Sequence, residues 1–274
     1  MRFKPRSIAI TSGKGGTGKT TLTANLGVAL GALGKDTTIL DGDLAMANLA
    51  IVLGMHKCER SFLDALTGEA EVKDVIYRNY GIKVVPMGFR FEDAHEVLTK
   101  VKRDRVEEII GELLRQTEFL LIDGAAGIQD ATIISIAAAR EMIPVCNPTY
   151  TSLVDAYKIV RLANVLGSWT RGVVVNRTGK RADLSTEEVE TFMSRALGAM
   201  PILSEIPEDP KVQEAELAGI PVVVYEPDCE ASVTIGNLAK LVAGEANLPY
   251  VPYEERAIAE TTARLVRALT GRTI

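Results

Sequence analysis

Gly13-Lys14-Gly15-Gly16-Thr17-Gly18-Lys19-Thr20 lies between a short β-rich run, Ser7–Ser12, and a segment of helical periodicity, Thr20–Leu33. The octet satisfies the spacing G-x-x-x-x-G-K-[ST] and stands in the strand–loop–helix context that makes this spacing a phosphate-binding loop. Its glycines let backbone N–H groups turn inward around phosphate oxygens. The helix beginning near Lys19 adds its positive end, and Lys19 reaches the β- and γ-phosphates. Thr20 is placed to ligate magnesium. The alternative, a glycine-rich turn that merely joins strand to helix, is opposed by the full spacing and context.

Outward from the loop, β-rich runs alternate with helical segments. Thr37–Leu40, Ile82–Pro86, Phe119–Ile122, Met142–Val145 and Gly172–Val175 read as strands; Ala94–Arg115, Asp130–Ala139, Ser152–Leu166 and Thr186–Leu197 read as helices. Several of the strands are continuous Val/Ile/Leu runs, the mark of strands covered on both faces by crossover helices. The expected fold is a doubly wound α/β domain with a mostly parallel sheet. No repeat or low-complexity linker divides it. Gly244–Pro252 is the expected boundary, giving a P-loop domain over residues 1–245 and a C-terminal helical extension over 246–274, with a helix near Glu254–Leu269.

The chain has 274 residues, is 47% hydrophobic and carries a formal charge of −5, so it can bury a sizeable core and has no overall field for nucleic acid. Cys58, Cys146 and Cys229 form no C-x-x-C pair, and a reducing cytosolic setting fits them best. Ile8-Ala9-Ile10 is too short for a signal-peptide core, and Ala131–Cys146 falls short of the ~20 residues that span a bilayer.

A P-loop also needs a carboxylate at the end of a neighbouring buried strand, and Phe119-Leu120-Leu121-Ile122-Asp123 supplies Asp123 for the metal side. Asp41 and Asp43 follow the strand Thr37–Leu40. Two apart at a strand end, they are expected to point the same way, with one of them orienting water; the alternative makes them turn and capping residues for the loop through Asn48. Lys14 is unnecessary for gripping one nucleotide, because Lys19 already does so. A cation at the mouth of the cradle can reach a neighbouring subunit's phosphates, which implies a nucleotide-sandwich homodimer.

With these motifs the chain resembles the MinD/ParA family of deviant-Walker ATPases, the archaeal MinD-like proteins most closely. The resemblance rests on Thr11 through Thr21, on Leu40-Asp41-Gly42-Asp43 with Asn48, on Asp123 with Ala126-Gly127, on Asn147-Pro148 and on Ile206-Pro207-Glu208-Asp209. It implies ATP hydrolysed to ADP with Mg2+. Gly13, Lys14, Gly15, Gly16, Thr17, Gly18, Lys19, Thr20 and Thr21 then hold the phosphates, and Thr20, Asp43 and Asp123 form the metal side. Asp43 positions the attacking water, and Lys14 crosses the dimer. It further implies that Asn176 bonds adenine, flanked by Arg177 and by Pro207, Glu208 and Asp209. Ala125 stands where such proteins usually place proline, and Thr149 where many carry glutamate.

The resemblance implies an ATP-dependent switch that recruits or positions a protein activator or cargo at a division site or cell pole. Membrane attachment through Glu254–Leu269 is weighed against packing of that helix on its own domain: Ile258, Thr262, Leu265 and Leu269 share a face, without Trp or Phe. The chain is expected in the cytoplasm, or peripheral at the inner face of the membrane. Lys100, Lys102, Arg103 and Arg105, and separately Arg177, Lys180 and Arg181, read as solvated charge, so DNA binding is not expected. The rival functions are a ParA-type DNA partition ATPase and an ATP-dependent synthetase on the same fold; a metal-cluster carrier lacks its cysteine pair.

Overall fold

The computed structural model describes residues 5–43, 46–88, 103–180, 182–198 and 200–244. The boundary at Gly244–Pro252, the helix near Glu254–Leu269 and the residues Lys100, Lys102 and Arg181 lie at or beyond the edges of these spans. In chain order the elements are β1 (Arg6–Ser12), α1 (Lys19–Ala32), β2 (Thr37–Asp41), α2 (Leu49–Val52), α3 (Phe62–Thr67), a 3₁₀ turn (Val72–Val75), β3 (Tyr77–Asn79), β4 (Ile82–Val85), α4 (Arg103–Arg115), β5 (Phe119–Ala126), α5 (Asp130–Ala138), β6 (Glu141–Cys146), α6 (Tyr150–Leu166), β7 (Trp169–Thr170), β8 (Val173–Thr178), α7 (Thr186–Leu197), β9 (Ile202–Pro207), α8 (Pro210–Ala218), α9 (Val222–Tyr225) and α10 (Glu230–Ala243).

Among the described residues the strands form one sheet in the order β3-β4-β2-β5-β1-β6-β8-β9, with β7 paired to β6. Every pairing is parallel except β3 with β4. The strands feed two cores by simple alternation. Ile8, Ile10, Ile39 and Leu121 face Leu22, Leu26 and Leu30 of α1 and Leu238 of α10, whereas Ala9, Leu40, Leu120 and Ile122 face α3, α4, α5 and α6. Each central strand therefore buries both faces, which is why it reads as a continuous apolar run rather than an alternating one. The mostly parallel, doubly wound sheet is the one expected.

β1 lies in the middle with β5 on one side and β6 on the other, so the chain leaves toward β2 on one flank and toward β8 on the opposite flank. Such a switch point opens a crevice beyond the carboxyl ends of the strands, the usual ligand position in open α/β sheets. The glycine-rich loop after β1 occupies it.

Candidate functional site

The cradle is built by close approach. A Cβ on Gly13 would fall 2.3 Å from the Cβ of Asp155, so only glycine lets the loop pass the first turns of α6. Gly18 takes φ +87°, in the left-handed region, and a Cβ there would meet Asn176 Nδ2 at 2.3 Å. Asn176 uses that contact: its Nδ2 donates to the Thr17 carbonyl at 2.8 Å and fastens the end of β8 to the loop.

At the floor, the Lys19 ammonium stands 3.2 Å from Thr20 Oγ1, 3.3 Å from Asp43 Oδ2 and 3.8 Å from Asp123 Oδ2. Asp123 is 1% exposed. Burial pushes its carboxyl up, against the Lys19 charge and the hydroxyls of Thr20 and Thr23, which pull it down. The Thr23 hydroxyl reaches Asp123 Oδ1 at 3.1 Å, and Oδ2 is buried without a hydrogen-bond partner. Thr23 was missing from the sequence reading, although a signal existed: it is four residues from Lys19 on one helix and so shares its face.

An orphaned carboxylate oxygen beside a threonine hydroxyl is a hard-oxygen environment that fits magnesium. Among the described residues no three His, Cys, Asp or Glu side chains gather as a protein-only metal centre.

Asp41 and Asp43 part company, correcting the expectation that both face the site. Asp41 turns into its own loop, where Oδ1 accepts from the Asp43 N–H at 3.1 Å and Oδ2 from the Leu49 N–H at 3.4 Å. It is the turn and capping residue of the alternative reading. β2 ends at Asp41, so the two-residue strand alternation no longer applies by Asp43. Burial, and after it the charge of Asp123, push the Asp41 carboxyl well up. Asp43 does face the cradle, with Oδ2 toward Lys19 and Oδ1 accepting from the Met46 N–H at 3.0 Å.

Lys14 lies at the rim, its ammonium 3.3 Å from the Thr151 hydroxyl at the start of α6. Thr149 caps α6 by accepting from the Ser152 N–H at 3.3 Å. The Thr21 hydroxyl donates to Glu216 Oε1 of α8.

At the ends of β8 and β9, Asn176 pairs in register with Ile206 and Thr178 with Pro207, so Arg177 is an extra residue in a β-bulge. It takes φ +62°, a conformation that costs a non-glycine residue about 1 kcal/mol or more. Bulges of this kind re-aim side chains next to functional sites. The Glu208 N–H donates to the Thr178 carbonyl at 2.9 Å, which brings Asn176, Arg177, Pro207 and Glu208 together. Asp209 is committed elsewhere: Oδ1 accepts from the Lys211 N–H at 2.9 Å, capping α8, and Oδ2 from the Ala231 N–H at 3.3 Å. Partial burial raises its carboxyl, but these N–H groups outweigh it and hold the group below the usual range.

Residues 5–243 match the family described as ParA, NUBPL iron-transfer P-loop NTPase. The iron-transfer part of that description meets three free thiols here, Cys58, Cys146 and Cys229. An ATP-binding protein of Methanocaldococcus jannaschii is 36% identical over 97% of both chains. The cell division ATPase MinD of Pyrococcus furiosus superposes with a TM-score of 0.78 at 38% identity, over 88% of this chain and 99% of its own. The septum site-determining protein MinD of Pyrococcus horikoshii, solved with Mg-ADP, gives 0.77 at 35% identity over 89% and 100%. With a family match across most of its length and the cradle assembled as its loop demands, the chain belongs to the ParA family of P-loop NTPases and is a MinD-like ATPase within it.

Proposed function

We propose that this ATPase is an ATP-dependent dimerisation switch. ATP with magnesium fills the cradle, two copies close face to face around their nucleotides, and hydrolysis to ADP and phosphate separates them. Thr20 and Asp123 would hold the magnesium, which would offset phosphate charge, and Lys19 would turn from its carboxylates to the β- and γ-phosphates. That frees Asp43 Oδ2, already oriented by the Met46 N–H on its other oxygen, to position the attacking water in line. Asn176, Arg177, Pro207 and Glu208 form the base side.

The observation that carries the reading is the setting of Lys14. Its ammonium points along the rim to Thr151 rather than into its own cradle. The same rim presents Met46, Ile128, Tyr150 and Val154 at 64%, 54%, 61% and 40% exposure. Each lies next to a residue of the cradle: the Met46 N–H bonds Asp43, Ile128 follows Gly127, whose N–H bonds the Ser12 carbonyl, Tyr150 precedes Thr151, and Val154 precedes Asp155, which packs against Gly13. A mouth ringed by exposed apolar groups with a free cation suits a second copy that brings both apolar surface and phosphate.

The output is a place rather than a product. Loops after Asp41 and Asp123 rearrange with the γ-phosphate, and the closed form recruits a protein activator or cargo, in the cytoplasm or at the inner face of the membrane. Solution mass measured with ADP, ATP and a nonhydrolysable ATP analogue tests this. Triphosphate is expected to drive a dimer that Asp43→Ala prolongs and Lys14→Ala prevents. A mass that never responds to nucleotide would end the switch reading in favour of a synthetase.

A further inference from the structure

At the far edge of the sheet the loop after α2 runs beside β3 without pairing to it. Among the described residues, hydrogen bonds join the two at their ends. Asn79 Nδ2 donates to the Leu53 carbonyl at 2.8 Å, and the Tyr77 hydroxyl donates to the Arg60 carbonyl at 2.9 Å while accepting from the Arg60 N–H at 2.8 Å. Between the ties lies a cavity of about 480 Å³, with Met55, His56 and Lys57 on one wall and Tyr77, Arg78 and Asn79 on the other. Lys57 and Arg78 are exposed and have no ion-pair partner among the described residues, and no acidic side chain lines the cavity. This concentration of positive charge stands on a chain of net charge −5.

We propose that this cavity is a binding site for a compact phosphate-bearing anion, separate from the nucleotide cradle. The donor set fits such a ligand: a guanidinium, a primary ammonium and an imidazole line the same depression with no acid among them, and the two cations gain most from an acceptor with several charged oxygens. The ties decide size. The two bridges bracket a short depression of about 480 Å³ with three or four residues on each wall, a span matched to a compact anion rather than to a long acidic segment. The site is also connected to the switch. Leu53, which anchors the Asn79 tie, closes the single turn of α2 whose first residue, Leu49, is held by Asp41. One four-residue helix therefore separates this cavity from the Asp41–Asp43 loop.

The test uses the full chain with its cradle saturated by Mg-ADP, titrated with inorganic phosphate at constant ionic strength against chloride, following backbone amide shifts. Saturable shifts confined to residues 55–57 and 77–79 are expected. Lys57→Gln and Arg78→Gln should each weaken binding about tenfold, as expected for loss of a charge-assisted hydrogen bond. Thermal unfolding of both variants should match the parent, since both residues are exposed and unpaired. Shifts that do not saturate, that chloride reproduces, or that survive both substitutions would overturn the site.

Discussion

The phosphate side and the proposed base side of this crevice treat their acids in opposite ways. At the phosphate side, Asp123 and Asp41 are buried and their carboxyls are pushed up; at the base side, backbone N–H groups hold Asp209 down. A folded-state carboxyl raised above its unfolded value takes up protons on folding, so its burden on the empty protein appears as pH rises above the ordinary carboxylate range. A lowered carboxyl gives stability above that range and loses it as pH falls through its folded value. At Asp123 the raised carboxyl keeps one buried oxygen without a hydrogen-bond partner, whereas both Asp41 oxygens are taken by its own loop. The lowered Asp209 carboxyl marks a place that holds the fold together. What looks from the sequence like one ligand shell is thus two kinds of chemistry.

The largest effect should come from Lys19→Ala. Lys19 alone touches both site carboxylates and is the cation aimed at the phosphates, so its loss is expected to lower turnover about 100- to 1,000-fold, read by phosphate release. It should also leave Asp43 and Asp123 facing each other without a counter-charge and lower the melting temperature of the empty protein. A melting temperature that rises would show that the carboxylates are already protonated there.

Asp123→Asn sharpens the comparison because activity and stability should move apart. Turnover is expected to fall about 100-fold. The empty protein should gain about 2 °C or more in melting temperature at neutral pH, since a fully buried charge with one unpartnered oxygen disappears. The gain should shrink as pH falls through the raised folded value and vanish by the ordinary carboxylate range, because the parent's own carboxyl takes up its proton above that range. Added Mg-ADP should then protect the parent more than the variant. A variant less stable than the parent at neutral pH would mean that the buried charge is already compensated.

The sequence showed the parts of the crevice but not the difference between its two sides, and the gap has a physical reason. The cradle was legible because its parts are contiguous: one spacing places the glycines, Lys19 and Thr20 on a single turn. Asp123 was legible because an apolar run ends in it. Asp41 misled, since the strand rule that aims alternate residues the same way stops where the strand stops. The Arg177 bulge left no local trace, because an arginine in left-handed conformation is imposed by the pairing of β8 with β9. β9 itself went unread as a strand. Asp209, drawn toward the base by resemblance, is taken by backbone donors from two helices, one of them starting some twenty residues later; no spacing announces such a tie.

Asn176 joins the two regions, and its substitution asks whether they are energetically one. Asn176→Ala removes the bond to the Thr17 carbonyl and is expected to weaken ADP and ATP binding by about tenfold each. Equal losses would mean that the residue holds the loop for whatever phosphate enters. A loss for ATP alone would place its effect at the γ-phosphate and join the two regions more tightly than the geometry implies.

The smallest effect belongs to Asp209→Ala, and it separates the regions most cleanly. Asp209 caps α8 and ties it to the start of α10, so its loss should cost about 1 kcal/mol, a fall of a few degrees in melting temperature. Because the folded carboxyl is held low, this cost should be full at neutral pH and vanish as acid protonates it in the parent, the reverse of Asp123→Asn. Turnover at saturating ATP should stay within about twofold, since helix capping leaves Lys19, Asp43 and Asp123 in place. A marked drop in turnover with unchanged stability would move Asp209 from the scaffold into the ligand shell, and the contrast between the two sides of the crevice would no longer hold.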